Sequence, residues 1–263
     1  MTSLGLPLDA EAARQVRRIE LKARRAVSDL FAGRYESVFK GQGMEFREVR
    51  EYAPGDDVRV IDWNVTARTG KPHVKILAEE RELTVMLLVD ASGSGHFGGS
   101  GQTKNELAVE LCALLAAAAI HGQDKVGLVM FTGEVELYIR PARGRSHVLR
   151  LIREALCFRP HGVRTNIPAA LYFLSNIAHR RTVTFILSDF MADNYAIPLS
   201  TAARRHDITA VVIDDPHEYA LPDVGWLAVA DSESGRESVV NTSDPVVRQA
   251  YAQAAEQRAL YRK

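Results

Sequence analysis

The 263-residue chain has no excess of positive or negative charge, only two cysteines and no long apolar run, and each of these absences argues against one class of protein. Its 33 Lys and Arg residues balance 33 Asp and Glu residues, so the formal net charge is zero. Proteins that bind nucleic acid normally carry a basic field, so the composition argues against nucleic acid as a partner. The longest apolar run, Leu111 to Ile120, is far shorter than the roughly 20 residues that cross a bilayer. We therefore expect no direct membrane span.

The N-terminus and the two cysteines favour a cytoplasmic location. Met1-Thr2-Ser3-Leu4 lacks the charged-then-apolar order of a signal peptide. Cys112 and Cys157 both fall in apolar helical patterns, which favours reduced, buried thiols over a disulfide. The overall composition, 46 % hydrophobic and 25 % charged, is typical of a globular protein.

Helical and extended patterns divide the chain near residue 83. Residues 9 to 33 follow a helical spacing, and residues 34 to 82 form short extended pieces broken by turns. From Leu83 onward, apolar runs that do not alternate are separated by helices, a pattern typical of strands covered on both faces. The sequence predicts a doubly wound, mostly parallel α/β sheet, Rossmann-like in type, with an N-terminal helix and irregular β-rich extension. The predicted parts are the extension (1-82), the α/β domain (83-243) and a C-terminal helix (244-263).

Three of the predicted strands end in an aspartate, and two of these three are expected to be neighbours. Leu83 to Asp90 is the first strand of the sheet, and Thr182 to Asp189 is the fourth. The turn at Thr132-Gly133-Glu134 is too short for a crossover and predicts one antiparallel edge strand. With strand order 3-2-1-4-5, Asp90 and Asp189 end neighbouring strands about 5 Å apart, at the edge where such sheets bind ligands. Two carboxylates so close repel each other unless a cation lies between them.

Hydroxyl side chains accompany these two acids. In the segment Asp90-Ala91-Ser92-Gly93-Ser94-Gly95 a carboxylate and two hydroxyls alternate, and the glycines let the chain bend. Thr165 adds a further oxygen from the loop before a predicted helix. Such hard oxygens suit Mg²⁺, with Mn²⁺ and Ca²⁺ as alternatives, far better than zinc. The candidate metal ligands are Asp90, Ser92, Ser94, Thr165 and Asp189. Taken singly, the serines are ordinary loop residues, Thr165 or Asn166 is a helix cap and Asp189 is a strand-end acid.

The same residues resemble a known motif. Asp90-x-Ser92-x-Ser94, followed by Thr165 and Asp189, resembles the metal-ion-dependent adhesion site (MIDAS) of the von Willebrand factor A fold. It departs from that motif at Gly95-His96, where methionine usually follows the glycine, and this leaves the ligand set unchanged. Further segments across nearly the whole chain resemble the signature of the domain-of-unknown-function-58 family: Gly41 to Phe46, Arg50 to Asp57, Arg59 to Trp63, Ala67-Arg68, Asp215 to Glu218, Leu221 to Gly225 and Asn241 to Asp244.

The resemblance implies a bacterial cytosolic protein that works with a MoxR-type AAA+ ATPase as an adaptor or co-chaperone, without enzymatic turnover. Relatives often bear transmembrane helices. The partner, either the ATPase or a client protein, is expected to present an acidic side chain that replaces an exchangeable water on the metal. No Gly-Lys-Ser/Thr follows Gly98 and Gly99, so the chain is not expected to bind ATP itself.

Two interpretations stay open beside this one. A Mg²⁺-dependent hydrolase of phosphoesters, with His96 as general base, is the rival, although no second metal cluster supports it. The interpretation as an adhesive ectodomain is weakened by the lack of a signal peptide and disulfides.

The role of three residues also stays open. Arg50, Arg59 and Trp63 are either exposed for recognition or hold the N-terminal segment against the sheet, and we favour the second interpretation.

Overall fold

The fold is given by a computed structural model that describes residues 10–32, 45–78, 83–99, 101–231 and 235–261. The described helices are α1 (Ala10–Ala32), α2 (Trp63–Thr69), α3 (Lys104–His121), α4 (Arg145–Cys157), α5 (Ile167–Ile177), α6 (Ala196–Ala203) and α7 (Pro245–Tyr261). The described strands are β1 (Glu45–Glu51), β2 (His73–Ala78), β3 (Thr84–Asp90), β4 (Lys125–Phe131), β5 (Val135–Ala142), β6 (Val183–Ser188), β7 (Asp207–Val212), β8 (Trp226–Ala230) and β9 (Glu237–Asn241). They fall into two compact units. The larger holds α1 and the chain from Thr84 onward, and the smaller lies within Glu36–Leu83.

A five-stranded sheet forms the centre of the larger unit. Its strand order is β5-β4-β3-β6-β7, in which β5 alone is antiparallel to its neighbour. The predicted mostly parallel sheet with one antiparallel edge strand is therefore confirmed. Because the chain winds outward from β3 in both directions, the carboxyl ends of β3 and β6 meet where the winding reverses.

The buried strands explain the apolar runs of the sequence. Met86 and Leu88 of β3 pack with Ile186 of β6 into a core cluster that includes residues of α5 and α6. Val85 and Val89, which alternate with them along the strand, are also buried. A strand with both faces covered loses the polar–apolar alternation, which is why β3 is continuously apolar.

Helix α3 is apolar on most of its surface because it is covered on more than one side. It contacts β3 and β4 of the sheet and also α1 and α4. Helix α1 packs against α4 as well, where Arg145 Nε donates a hydrogen bond to Glu20 Oε1 at 2.8 Å. Helix α1 thus belongs with the sheet, whereas the sequence groups it with the extension that follows. The three-part division of the chain stays a prediction.

A capping box begins α3. Glu106 N donates a hydrogen bond to Thr103 Oγ1 at 3.2 Å, and Thr103 N donates one to Glu106 Oε2 at 3.0 Å. These two bonds satisfy amides that the first turn of a helix leaves without intrahelical partners. They also fix where α3 begins, and its first residue, Lys104, reaches the carboxyl edge of the sheet.

Thr103→Ala is expected to lower the free energy of unfolding by about 1 kcal/mol, because the amide of Glu106 loses its acceptor. Urea unfolding measures the change. Thr201→Ala is the matched control, since its exposed hydroxyl bonds only to Ile197 O within α6, and its effect should stay under about 0.5 kcal/mol. Equal losses in the two variants would contradict a capping role for Thr103.

The smaller unit contains the antiparallel pair β1–β2 and the short helix α2. The sequence does not predict α2, although its signals are present. Asp62 accepts hydrogen bonds from two amides of the first turn, and Gly70 ends the helix at a φ of 73°. Arg50 donates two hydrogen bonds to the Asp56 carboxylate at 2.7 and 2.6 Å, so it stabilises a turn within this unit. Trp63 is 70 % exposed.

The two cysteines have different environments. Cys112 is buried in α3, and burial raises the pKa of its thiol to about 12. Cys157, the last residue of α4, is exposed. Both thiols are free, so the expectation of buried, reduced cysteines is confirmed for Cys112 and wrong in its burial for Cys157. The helices that the structure describes include none long and apolar enough to cross a membrane.

Candidate metal centre

Asp90 ends β3 as a buried carboxylate that has only neutral partners. Its Oδ1 accepts a hydrogen bond from Ser92 N at 3.0 Å, and its Oδ2 accepts one from Ser188 Oγ at 2.7 Å. Burial raises the pKa of Asp90 despite these hydrogen bonds, and the nearby charge of Asp189 acts in the same direction. No cationic side chain of the described residues forms an ion pair with Asp90.

The hydroxyls of Ser92 and Ser94 lie beside this carboxylate. Their oxygens are 3.2 Å apart, and Ser92 is 2 % exposed. The chain bends here in a 3₁₀ turn (Gly93–His96). Gly95 lies close against α3 in that turn, and a Cβ at this position would lie 2.1 Å from Asn105 Oδ1, so a larger residue would displace the Asn105 side chain.

Asp189 directly follows β6 and has a cationic partner. Lys104 Nζ donates a hydrogen bond to Asp189 Oδ2 at 2.7 Å and a second to Glu218 Oε1 at 2.5 Å. The amide of Met191 donates to Asp189 Oδ1 at 3.0 Å. Burial disfavours the charged form of Asp189, but the Lys104 ammonium, together with hydrogen bonds from the Met191 amide and the Ser94 side chain, outweighs burial and lowers the pKa of Asp189. Burial also disfavours the ammonium, yet the two carboxylates raise the pKa of Lys104.

Four of the five predicted ligands share one small cavity. Asp90, Ser92, Ser94 and Asp189 line a space of about 20 Å³, together with Lys104 and Ser188 among others. A space of that size holds a single water molecule or a single ion. The strand order explains the convergence, because β3 and β6 deliver their terminal aspartates side by side.

Thr165, the fifth predicted ligand, does not line this cavity. Its loop reaches the site through a hydrogen bond from Gly93 N to Val163 O at 2.9 Å. Among the described residues, no hydrogen bond joins the Thr165 side chain to the other four. The next residue, Asn166, caps α5 by accepting a hydrogen bond from Ala169 N at 3.1 Å. The capping interpretation thus holds for Asn166 and does not hold for Thr165.

Glu136 of β5 fixes the loop that carries Thr165. Its carboxylate accepts hydrogen bonds from the backbone amides of His161 at 2.7 Å and Gly162 at 3.0 Å, and also from the Thr132 hydroxyl. Burial by itself would raise the pKa of Glu136, but these hydrogen bonds lower it to about 2. No sequence motif marks this residue, because its partners are 4 to 26 positions away.

Two further residues lie outside the cavity. Asp215 accepts hydrogen bonds from the amides of Gly99 at 3.1 Å and His217 at 2.8 Å, so it joins the loop after Ser94 to the segment after β7. His96 is exposed and does not line the cavity.

Sequence reasoning missed three members of the site: Ser188, Lys104 and Glu218. Ser188 immediately precedes a predicted ligand, and Lys104 is the first residue of a capped helix that follows the metal loop. Glu218 lies in one of the family-like segments. The described residues include no group of three His, Cys, Asp or Glu arranged to hold a metal. A metal at this cavity would therefore depend on hydroxyl oxygens as well as carboxylates.

Residues 48–260 match a family model described as protein of unknown function DUF58, and the chain belongs to that family. An uncharacterized protein of Mycobacterium bovis is 35 % identical over 252 residues, which cover 94 % of this chain and 78 % of that protein. An uncharacterized protein of Mycobacterium tuberculosis matches to the same extent. Among solved structures, an aerotolerance-related membrane protein from Bacteroides fragilis is 16 % identical with a TM-score of 0.46, over 67 % of this chain and 87 % of that chain. The family membership predicted from the sequence is confirmed.

Proposed function

We propose that this chain is a Mg²⁺-dependent protein-binding adaptor whose sheet is a von Willebrand factor A-type domain with a metal-ion-dependent adhesion site. The observation that carries the proposal is the environment of Asp90. A buried carboxylate with neutral partners faces a one-ion cavity that it shares with two serine hydroxyls and a second carboxylate. A buried charge without a counterion is costly, and a dication would remove that cost.

The donor set fits the proposed metal. Carboxylate and hydroxyl oxygens are hard ligands of the kind Mg²⁺ prefers, and the cavity residues supply no thiolate or imidazole. Asp90, Ser92, Ser94 and Asp189 would hold the ion, and Thr165, whose loop accepts the hydrogen bond from Gly93 N, would be the fifth ligand. When bound, the ion supplies an exchangeable position at which a partner's carboxylate can replace water.

Residues beside the ligands hold them in place. Ser188 orients Asp90 through the 2.7 Å hydrogen bond, and Gly95 lets the loop lie close against Asn105 at the start of α3. The bond from Gly93 to Val163 keeps the Thr165 loop beside the site. A partner that presents Asp or Glu would gain a charge-assisted, partly desolvated contact without any bond being broken.

For the partner we propose a MoxR-type AAA+ ATPase or a client protein that presents an acidic side chain. Such an ATPase itself uses magnesium nucleotide, so removing Mg²⁺ from a mixture would affect both proteins. The metal dependence must therefore be tested by a change in this chain alone, at constant Mg²⁺.

Capture of a purified MoxR-type ATPase from the same genome provides that test. The wild-type chain should retain the ATPase in Mg²⁺, and a Ser92→Ala/Ser94→Ala chain should lose at least about 90 % of the retention, or about 1.4 kcal/mol of binding free energy. Ser175→Ala is the matched control, because its hydroxyl bonds to Leu171 O within α5, and its retention should equal that of wild type. Retention that is the same in all three chains would refute the proposal for this partner.

The hydrolase hypothesis has less support. Since His96 is exposed and outside the cavity, no described contact places it to deprotonate a water there. We propose that the chain binds without turnover. Mg²⁺-dependent hydrolysis of a phosphoester panel, lost in His96→Ala, would reverse this assignment.

A further inference from the structure

Lys104 occupies a cation position next to the proposed Mg²⁺ position. Its side chain is 5 % exposed, and its ammonium lies between two carboxylates, 2.7 Å from Asp189 Oδ2 and 2.5 Å from Glu218 Oε1. Asp189 thus faces Lys104 with one oxygen while its side chain also lines the cavity that it shares with Asp90. We call Asp90, Asp189 and Glu218 the carboxylate row, because Asp189 shares a cavity with Asp90 and shares the ammonium with Glu218; among the described residues the ammonium pairs with the last two and not with Asp90.

Lys104 is the first residue of α3, where a positive charge is unfavourable. A cation in the first turn of a helix meets the positive end of the helix dipole, which disfavours it. The two carboxylates offset that cost and the cost of burial. Glu218 Oε2 is also buried and accepts no hydrogen bond from any described residue, so this carboxylate keeps unused capacity to bind a cation.

The charges of the row match a single dication. Asp90, Asp189 and Glu218 carry three negative charges, and Lys104 returns one positive charge, which leaves a net charge of −2. One Mg²⁺ neutralises the row. Without the ammonium the same carboxylates would form a site of higher charge, and sites with two metal ions about 3.5–4 Å apart are typical of enzymes that cleave phosphoesters.

We infer that the Lys104 ammonium takes the place of a second metal ion, between Asp189 and Glu218, and so limits the site to one divalent cation. The inference rests on the proposed function, because the first cation position is the proposed adhesion site. It adds a reason for binding without turnover: the second ion that two-metal hydrolysis requires is replaced by a fixed, non-exchangeable charge.

Mn²⁺ stoichiometry tests the inference, measured by isothermal titration calorimetry and by the electron paramagnetic resonance of free Mn²⁺. The wild-type chain should bind one ion. Lys104→Ala should bind two ions, the first about tenfold or more tightly than wild type does, because the ammonium no longer repels it. Lys104→Met/Glu218→Gln removes both charges of the Lys104–Glu218 ion pair and should bind one ion. Lys22→Ala, which breaks an exposed pair with Glu110, is the control and should bind one ion.

The variants also separate a folding defect from a failed inference. If Lys104→Ala is unfolded in EDTA, the inference requires that Mn²⁺ restore its far-ultraviolet circular dichroism, while the double variant is folded without metal. A folded Lys104→Ala chain that binds only one Mn²⁺, at whatever affinity, would overturn the inference. So would an unfolded one that saturating Mn²⁺ does not restore.

The proposed function fails in a different way. A wild-type chain that binds no Mn²⁺ would refute the adhesion site. The role of Lys104 would then be decided by comparison with that metal-free wild type. Lys104→Ala should bind one Mn²⁺, and the double variant Lys104→Ala/Glu218→Gln should bind none. A Lys104→Ala chain that also binds no Mn²⁺ would overturn the inference.

Discussion

Asp90→Asn is expected to weaken Mg²⁺ binding by more than about 100-fold, equivalent to about 2.7 kcal/mol, as measured by isothermal titration calorimetry. The amide keeps the size of the carboxylate: its oxygen can still accept the hydrogen bond from Ser92 N, and its NH2 group can instead donate one to Ser188 Oγ. What it removes is the negative charge that faces the cavity. The matched control is Asp207→Asn, an exposed acid that pairs with Arg181, which should leave Mg²⁺ affinity unchanged.

The stability of the same variant distinguishes loss of charge from loss of fold. Without metal, Asp90 is a buried carboxylate near Asp189, and burial and this neighbouring charge raise its pKa. Neutralising it should leave the metal-free chain at least as stable to urea as wild type. Mg²⁺ should then stabilise wild type and leave Asp90→Asn unaffected. Equal stabilisation of both chains by Mg²⁺ would place the ion elsewhere.

Glu136→Gln is expected to lower the free energy of unfolding at pH 7 by about 2–3 kcal/mol, from a pKa lowered to about 2 against an ordinary value of 4.5. A lowered pKa in the folded state means that the charged carboxylate stabilises the fold. That contribution is fully present above the ordinary pKa and is lost as the pH falls toward about 2. The difference between variant and wild type should therefore shrink steadily below about pH 4.5.

Urea unfolding at several pH values between 7 and 2.5 measures this difference. Glu134→Gln is the control, because Glu134 is exposed on the same hairpin, and its effect should stay within about 0.5 kcal/mol at every pH. A Glu136→Gln deficit that does not change with pH would show that the carboxylate contributes packing rather than charge. Because Glu136 holds His161 and Gly162, the variant should also bind Mg²⁺ more weakly if Thr165 contributes to the site.

The sheet could be predicted because its signals are local and strong. A strand buried on both faces must be apolar at nearly every position, so β3 and β6 stand out in the sequence, and each is followed or ended by an aspartate. The short connection at Gly133 left only an antiparallel pairing for β5. With the strand order that such sheets adopt, these constraints put Asp90 and Asp189 at the ends of neighbouring strands.

The remaining parts of the site depend on contacts between distant segments. Lys104 and Glu218 are 114 positions apart, and neither has a sequence pattern that indicates an ion pair. The exposure of Cys157 was missed for a different reason. Cys157 is the last residue of α4, where the apolar spacing of the helix no longer indicates burial. Helix α2 was missed because its seven residues are too few to show a helical spacing of apolar residues.

The hydrogen bonds of the site also bear on how it assembles. Ser188 meets Asp90 across 98 positions, and Lys104 meets Asp189 across 85. No fragment that stops before β6 contains both carboxylates, and one that stops before β7 lacks Glu218. Loop closure over such distances is slow and occurs only when the intervening strands have paired. Divalent-ion affinity should therefore develop late in refolding, and the time course of ion uptake would report completion of the sheet.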